Sequence, residues 1–337
     1  MVDKDTYPAV LSSVRDRNGK VHDYTAGVAD LKTGKKVPVD GQVRAGSNTK
    51  PFTAVLVLQL VGEGKVGLDA PVEKYLPGLV RGEGIDGRKI TVRQLLQQTS
   101  GLPNYSEYIG DHYEKDRHTY LQPRELLDLA LAHKSRFAPG TDWEYSNTNY
   151  LLAGLIVEKV TGRPLSEEMT RRVIRPAGLR HTYFPDVGEE GIREAHPQGY
   201  RATKPNGPLK DITVMEPSWA WAAGQLVSTP SDLSRFFTVL FDGKLLKQEQ
   251  LDQMRKTVKT TGMWPGARYG LGVVSTPLSC GGLVWGHGGD IAGYETRGGV
   301  TDDGRAVTVA VTANPPSGPR GQGPADVLSL VDTALCK

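Results

Sequence analysis

Ser47 and Lys50 stand three positions apart at the start of an apolar segment, in the only Ser-x-x-Lys sequence of the chain. Residues at this spacing share one face of a helix, so the hydroxyl and the amine can touch. An amine removed from water has a lowered pKa and can take the serine proton, which makes the hydroxyl a nucleophile. The alternative is a capping serine followed by a solvated lysine. The apolar helix that follows argues against it, because its first turn would not face bulk water.

A second candidate is Tyr145-Ser146-Asn147, the only Tyr-x-Asn sequence of the chain. Side chains two positions apart in an extended loop project to the same side, so Tyr145 and Asn147 can reach one substrate. The phenol can exchange a proton with the serine or the leaving group, and the amide can hold a substrate carbonyl or Lys50. A buried tyrosine followed by a helix-capping asparagine is the alternative.

The third candidate is His287, in Trp285-Gly286-His287-Gly288-Gly289-Asp290, which holds the only His-x-Gly sequence. The missing side chains at Gly288 and Gly289 indicate a strand edge that a substrate backbone can approach closely. The alternative is a histidine with satisfied hydrogen bonds at a glycine-rich turn. The chain has no Gly-x-Ser-x-Gly elbow, His-Glu-x-x-His site or phosphate-binding loop. We therefore expect neither a metal nor a cofactor.

The segments that carry these residues alternate between strand and helix patterns. A hairpin pattern around Asn18-Gly19 spans Ala9 to Val28. The nearly continuous apolar run from Phe52 to Val61 predicts a helix buried on almost all sides. Helical spacing follows in the middle of the chain and again at Ser231–Phe241, before a series of strands. The other predicted elements are the helices Val92–Gln98, Arg124–Ala132 and Tyr150–Val160 and the strands Tyr269–Ser275, Leu283–Gly286, Gly293–Val300 and Ala306–Ala313.

This order of elements predicts an α/β fold, with an antiparallel sheet flanked by helices and an inserted all-helical lobe. We assign residues 1–68 and 215–337 to the sheet domain and residues 69–214 to the helical domain. The cleft between two such lobes is a common place for chemistry.

Composition excludes several other classes of protein. The 337 residues carry 41 Lys and Arg against 38 Asp and Glu, a net charge of +3 without a basic run, which gives no footprint for nucleic acid. The apolar runs fall short of the about 20 residues of a membrane-spanning helix. The first residues lack the pattern of a secretory signal, so the chain is intracellular or a mature form. Cys280 and Cys336 favour one disulfide in an oxidising compartment, with two unrelated buried thiols as the alternative.

The three short sequences, in their order along the chain, resemble the three-box pattern of penicillin-recognising serine enzymes. Over nearly its whole length the chain is similar to the family of serine DD-peptidases, class C β-lactamases and D-aminopeptidases. Within it, the chain most resembles the secreted Streptomyces D-Ala-D-Ala carboxypeptidases. Further stretches that carry the likeness are Gly27-Val28-Ala29-Asp30, Tyr75-Leu76-Pro77-Gly78-Leu79, Ser100-Gly101-Leu102, Ser218-Trp219-Ala220 and Tyr269-Gly270-Leu271-Gly272.

The resemblance implies a role for each candidate. Ser47 would be the acylated nucleophile, Lys50 and Tyr145 would share the acid–base work, and His287 would complete the proton network. The backbone N–H groups of Ser47 and Asp290 would form the oxyanion hole, where the charge of a tetrahedral intermediate develops. The predicted substrate-binding residues are Asn147, Trp219, Gly288, Gly289 and Asp290.

The chain departs from the DD-peptidases where they hold a terminal carboxylate. Their His-Thr-Gly-Thr is His287-Gly288-Gly289-Asp290 here, which removes two hydroxyls and adds a carboxylate beside the oxyanion hole. The arginine that they place near Val273–Ser275 is absent, and Arg268 or Arg297 could replace it. We therefore expect little preference for a free carboxylate on the leaving group. The alternative is that Asp290 turns to solvent or pairs with an arginine.

The predicted function is that of an acyl-enzyme serine hydrolase or acyltransferase for D-amino-acid-containing peptides or amides, and it is most similar to that of a penicillin-binding D-Ala-D-Ala carboxypeptidase. The alternatives are an esterase, transacylase or D-aminopeptidase of the same fold, and a sensor that binds β-lactams without turnover. The expected partners are a small peptide, amide or ester and β-lactams that acylate Ser47. The resemblance also implies a disulfide between Cys280 and Cys336 and a secreted or extracytoplasmic location, and we expect a monomer.

Overall fold

A computed structural model describes residues 7–110, 115–202, 207–314 and 324–337. Its longer strands form one sheet and its two-residue strands mostly form small additional sheets. The strands are β1 Ala9–Arg15, β2 Val21–Gly27, β3 Val43–Arg44, β4 Arg81–Gly82, β5 Ile85–Asp86, β6 Tyr200–Arg201, β7 Lys210–Asp211, β8 Val227–Ser228, β9 Val258–Lys259, β10 Arg268–Tyr269, β11 Val274–Pro277, β12 Leu283–Ile291, β13 Tyr294–Thr301, β14 Ala306–Val311 and β15 Ala313–Asn314.

The helices fall mainly between β3 and β9. A 3₁₀ turn at Gly46–Asn48 precedes the first of them, and a π-helical turn at Thr170–Ile174 joins two others. The α-helices are α1 Thr49–Gly62, α2 Val92–Leu96, α3 Pro123–Leu131, α4 Asn147–Thr161, α5 Leu165–Met169, α6 Arg175–Ala177, α7 Trp221–Gly224, α8 Pro230–Phe241, α9 Gln248–Met254 and α10 Pro324–Cys336.

The main sheet has the strand order β2-β1-β14-β13-β12-β11-β10-β9, and each neighbouring pair is antiparallel. The first two strands form the hairpin predicted around Asn18-Gly19, with Gly19 at a φ of 81°. Strand β1 pairs with β14 from Val10↔Val311 to Arg15↔Ala306, so segments about 300 residues apart in sequence are neighbours in the sheet.

Helices cover both faces of this sheet. The main core contains α1 and α8, and α8 packs on β1, β13 and β14. Helix α10 packs on the opposite face, where Val327, Val331 and Leu335 join valines of β14 in a second core. Every residue of β14 is consequently buried. The predicted α/β fold, an antiparallel sheet flanked by helices, is confirmed.

Helices are the longest regular elements in the middle of the chain, and loops connect them. Helix α4 packs against α1, α2, α3 and α7, and it carries the segment after Tyr145 into the centre of the molecule. The same stretch also contains the short strands β4 to β7, of which β6 pairs in parallel with β15 near the end of the chain. The division into domains at residues 68 and 214 stays a prediction.

Two of the predicted strands are divided in the structure. Tyr269–Ser275 is not one strand but the end of β10, a turn, and the beginning of β11, which pair with each other. Gly270 N donates to Val273 O across the turn, and Gly272 has a φ of 80°. Ala306–Ala313 is likewise divided at Thr312 into β14 and β15. Within the described ranges, no helix is long and apolar enough to cross a bilayer.

A disulfide joins Cys280 to Cys336. It connects the loop between β11 and β12 with the last turn of α10. The C-terminal helix is therefore held to the strand that carries His287.

Candidate active site

The 3₁₀ turn that carries Ser47 lies directly against strand β12. Gly46 has a φ of 52°, and a Cβ on it would lie 2.9 Å from the backbone N of Asp290. Glycine therefore permits both the left-handed backbone and the close approach of the two chain segments. This contact brings the backbone N–H groups of Ser47 and Asp290 to the same end of the cleft, and their role as the oxyanion hole stays a prediction.

Lys50 is fully buried at the start of α1, which contradicts the alternative of a solvated lysine. Its Nζ lies 3.0 Å from Ser47 Oγ, 2.7 Å from Asn147 Oδ1 and 2.9 Å from the carbonyl oxygen of Ala223. Burial lowers the pKa of Lys50 well below its ordinary value, although the charge of Asp290 opposes this. A neutral amine has two N–H groups for the two carbonyl acceptors and one lone pair for the Ser47 hydroxyl. A protonated amine could donate to the same three oxygens, so it is burial, and not the contacts, that favours the neutral form.

Tyr145 and Asn147 approach Ser47 from the loop before α4. Lys50 Nζ lies 4.7 Å from the centre of the Tyr145 ring, and the phenol is hydrogen-bonded to Ser47. Burial raises the pKa of Tyr145 well above its ordinary value, so the phenol keeps its proton at neutral pH. Asn147 does not cap α4 with its side chain but bonds to Lys50 and, through Nδ2, to Ser106.

His287 is buried in β12 with both ring nitrogens in hydrogen-bond contact. Nδ1 lies 2.5 Å from the carbonyl oxygen of Gly288, and Nε2 lies 3.0 Å from the hydroxyl of Tyr269. Burial, and in second place Lys50 when it is protonated, lower the pKa of His287 to about 3. The imidazole is therefore neutral, with its proton on Nδ1 and Nε2 accepting from Tyr269. The hydrogen bonds of His287 are satisfied, as in the alternative interpretation. However, His287 lies in a strand beside Lys50 and Tyr145, and not in a turn.

Strand β12 has an open edge beside this group. Its pairing with β11 ends at Val274↔Gly286, whereas its pairing with β13 continues to Ile291↔Tyr294. The Ser47 turn lies near this open half, and a Cβ on Gly289 would lie 1.9 Å from the carbonyl oxygen of Ala45. The strand edge that the glycines indicated is present, and Gly289 leaves room for the turn.

Asp290 forms an ion pair with Arg297, with 2.9 Å between Asp290 Oδ1 and Arg297 Nη2. This is the alternative in which Asp290 pairs with an arginine. The carboxylate is 55% exposed, whereas Arg297 is 3% exposed and also lies 3.2 Å from Glu295. Although burial disfavours its charge, the two carboxylates raise the pKa of Arg297. Arg268 is exposed and bonds to Thr257. Arg268 and Arg297 would therefore have to break existing contacts before either could bind the terminal carboxylate of a substrate.

The other predicted binding residues take different places. Gly288 lies over the Arg297 side chain, where a Cβ would be 2.9 Å from Nη1. Trp219 is buried in the main core, and its carbonyl oxygen accepts a hydrogen bond from Tyr105. Its part in substrate binding stays a prediction.

Three residues of the site were not among the predicted site residues. Tyr269 holds His287, Ser106 holds the side chain of Asn147, and Asn104 accepts a hydrogen bond from the backbone N of Asn147. Tyr269 belongs to Tyr269-Gly270-Leu271-Gly272, a stretch that carried the family resemblance. That likeness was the sequence feature from which Tyr269 could have been predicted as a site residue. Asn104 and Ser106 lie in a polar loop whose sequence does not distinguish them from ordinary turn residues.

A protein-family model described as Beta-lactamase matches residues 2–332. The chain belongs to the β-lactamase family. The predicted family membership is confirmed.

Two solved structures are similar to this β-lactamase family member over most of their length. A D-stereospecific amidohydrolase from Streptomyces sp. is 40% identical, covers 91% of this chain and 90% of its own, and has a TM-score of 0.85. A D-amino acid amidase from Ochrobactrum anthropi SV3, solved with L-phenylalanine amide, is 27% identical, with coverage of 98% and 95% and a TM-score of 0.86.

A curated relative extends the comparison to another activity. Esterase EstB from Burkholderia gladioli is 35% identical over 185 residues, which are 52% of this chain and 46% of EstB. The chain spans less than half of the length of the curated relatives that it matches.

Proposed function

We propose that this protein hydrolyses amides of D-amino acids, or peptides that contain them, through an acyl-enzyme on Ser47. The observation that carries the proposal is the contact of Ser47 Oγ with a buried Lys50 whose two N–H groups have other acceptors. The similarity to a D-stereospecific amidohydrolase and a D-amino acid amidase supports this choice of substrate.

In the proposed acylation, the Ser47 proton passes to Nζ of Lys50 as Oγ attacks the substrate carbonyl carbon. The backbone N–H groups of Ser47 and Asp290 stabilise the oxyanion. The phenol of Tyr145 gives its proton to the leaving nitrogen when the C–N bond breaks, and Lys50 returns a proton to the phenolate. Water then attacks the acyl carbon by the reverse route, and Ser47 leaves with its proton restored.

His287 remains neutral throughout this cycle. It accepts a hydrogen bond from Tyr269 and donates one to its own strand, so it serves as a positioning residue for the wall of the site. A positive charge at this point would oppose protonation of Lys50, which must occur in each acylation. The low pKa of His287 prevents that conflict.

The charges beside the cleft favour a neutral leaving group over an anionic one. The exposed carboxylate of Asp290 raises the pKa of both Lys50 and Tyr145, so its field reaches the reacting groups. Arg297 lies between Asp290 and Glu295, a cluster with two negative charges and one positive charge. A leaving group with a terminal carboxylate would meet this cluster, in which the one cation, Arg297, is already paired with both acids.

The test uses one D-acyl group in three substrates: its amide, its ester, and the peptide whose leaving group is D-alanine with a free carboxylate. We expect kcat/KM for the D-amide to exceed that for its L-enantiomer and for the free-acid peptide by about tenfold or more, where tenfold corresponds to about 1.4 kcal/mol. The Ser47→Ala variant measures the background in each case.

Each of the other outcomes would assign a different activity to this protein. Preference for the free acid by about tenfold would make it a DD-carboxypeptidase, and preference for the ester without stereoselectivity would make it an esterase, as the similarity to EstB suggests. Acylation by a β-lactam without turnover of any of these substrates would identify a sensor.

A further inference from the structure

A cavity lies beside helix α7, the helix whose Ala223 carbonyl oxygen accepts a hydrogen bond from Lys50. It has a volume of about 250 Å³ and is lined by α4, α5 and the residues on either side of α7. Helix α7 borders both sites, because the Ala223 carbonyl oxygen accepts from Lys50 while Trp221 lines the cavity.

Aromatic side chains and acids line this cavity, and none of its lining residues is basic. Tyr120, Phe184 and Trp221 contribute rings, while Glu158 and Asp186 contribute carboxylates. Such a combination suits an organic cation, which gains from aromatic faces and from negative charge together.

Glu158 has no compensating cation among the described residues, whereas Asp186 lies near enough to Arg193 for their charges to interact. Burial raises the pKa of Glu158, which accepts one hydrogen bond from the backbone N of Leu165. Burial also raises the pKa of Tyr120, and the charges of Glu216, Glu125 and Glu158 raise it further. A carboxylate that is partly buried without a cation gains most from a ligand that brings one.

Gln225 supplies a directed acceptor for such a ligand. The side chain is 4% exposed and lines the cavity, and its Nε2 donates to the carbonyl oxygen of Pro185 at 2.9 Å. Its Oε1 receives no hydrogen bond from any residue that the structure describes. A buried acceptor without a donor costs about 1–3 kcal/mol, which an N–H group of a ligand would recover.

The backbone beside the cavity is also unusual. Trp221 has a φ of 29°, a region that bulky residues rarely adopt. Strained backbone of this kind is common at ligand sites, where the surrounding contacts enforce it. Here the conformation turns the indole toward Gly154 of α4, where a Cβ would lie 2.8 Å from the ring.

We propose that this cavity binds the ammonium group of a small primary alkylamine, with N–H donors toward Gln225 Oε1 and Glu158 and the alkyl chain against the aromatic rings. The site is separate from Ser47 and does not depend on the proposed hydrolysis. Its ligand contacts the residues on either side of α7, which fixes one hydrogen bond of Lys50.

Calorimetric titration of the full chain with n-butylammonium chloride tests the proposal, with 1-butanol as the neutral analogue. We expect saturable binding of the amine and at least about tenfold weaker binding of the alcohol, because the charge-assisted hydrogen bonds are lost. Glu158→Gln and Gln225→Met should each weaken amine binding by about the same factor. Glu249→Gln, on the exposed side of α9, is the matched control and should bind the amine as the parent does.

Measurement on the Asp290→Asn variant separates this cavity from the cleft beside Ser47. Weaker binding in that variant, with no weakening in Glu158→Gln, would place the amine in the cleft and overturn the proposal. Equal binding of 1-butanol, or no saturable binding by the folded parent, would also overturn it. Because none of these titrations measures hydrolysis, a failure here is distinct from a failure of the proposed enzyme activity.

Discussion

At the scale of single residues, the proposed mechanism makes the reactivity of Ser47 depend on the protonation state of Lys50. Three acceptor or hydroxyl oxygens surround Nζ, and burial favours the neutral amine. Protonation would place a third N–H where the Ser47 proton must go. The activity of Ser47 therefore depends on a lysine that the fold keeps out of water.

The pH dependence of acylation should report this lysine. As pH falls through the lowered pKa of Lys50, the amine gains a proton, and the acylation rate should drop tenfold for each pH unit. The measurement is the rate of labelling by a fluorescent penicillin in stopped flow. His287→Gln should keep this acid limb, because His287 has a pKa of about 3 and is not its source. Loss of the limb in His287→Gln would contradict the assignment to Lys50.

Ser47 should be the single labelled residue. We expect Ser47→Ala to abolish labelling by a fluorescent penicillin or a fluorophosphonate, and Lys50→Ala and Tyr145→Phe to slow it by about 10²–10⁴-fold. Lys159→Ala, which changes an exposed lysine of α4, is the control for Lys50→Ala. Peptide mapping that finds the label on another serine would refute the mechanism.

The sequence predicted the principal side chains of the site better than their partners. Ser47 and Lys50 are neighbours through helical spacing alone, so their contact follows from local structure. The partner of His287 did not follow from sequence, because Tyr269 lies on another strand and meets it only through the pairing of β10, β11 and β12. The ion pair of Asp290 likewise depends on the register that sets Arg297 opposite Gly288.

At the scale of elements, strand β12 must lie close to the turn before α1. Gly289→Ala would place a Cβ 1.9 Å from the carbonyl oxygen of Ala45, so the strand and the turn would have to separate. We expect a loss of about 2–4 kcal/mol in the free energy of unfolding and a large loss of penicillin labelling. Urea unfolding measures the first effect.

A matched variant separates this contact from the general effect of replacing glycine. Gly191→Ala meets nothing within 4 Å, so it should change neither stability nor labelling by a comparable amount. Equal losses in the two variants would show that the close approach of β12 and the turn is unimportant.

Elements were predictable where local pattern and tertiary structure agree. Helix α1 lies in the core and is buried on nearly all sides. The apolar run from Phe52 to Val61 therefore predicts most of its length. The division of Tyr269–Ser275 did not follow, since Leu271 and Val273 continue the apolar pattern through the turn while packing in the core. Glycines at 270 and 272 were the signal for this turn.

At the scale of the whole molecule, the disulfide fastens the C-terminal helix to the sheet. Replacing both Cys280 and Cys336 by alanine should lower the free energy of unfolding by about 4 kcal/mol in the loop-entropy model for a separation of 56 residues. Thermal unfolding measures the loss, and intact mass before and after reduction should differ by two hydrogens. Free thiols in protein purified in air would contradict the pairing. Secretion and the monomeric state stay predictions.

The pairing of β1 with β14 has a consequence for the synthesis of this protein. The hairpin of β1 and β2 can join the other six strands only after residues 306–311 are made, because β14 is the strand that links it to them. Contacts of such long sequence separation form slowly and late in folding. On the ribosome, Ser47 and Lys50 are made well over 200 residues before the strand that carries His287 and Asp290. Penicillin labelling of nascent chains should thus begin only when β14, Ala306–Val311, has emerged, which makes acylation a reporter of the completed sheet.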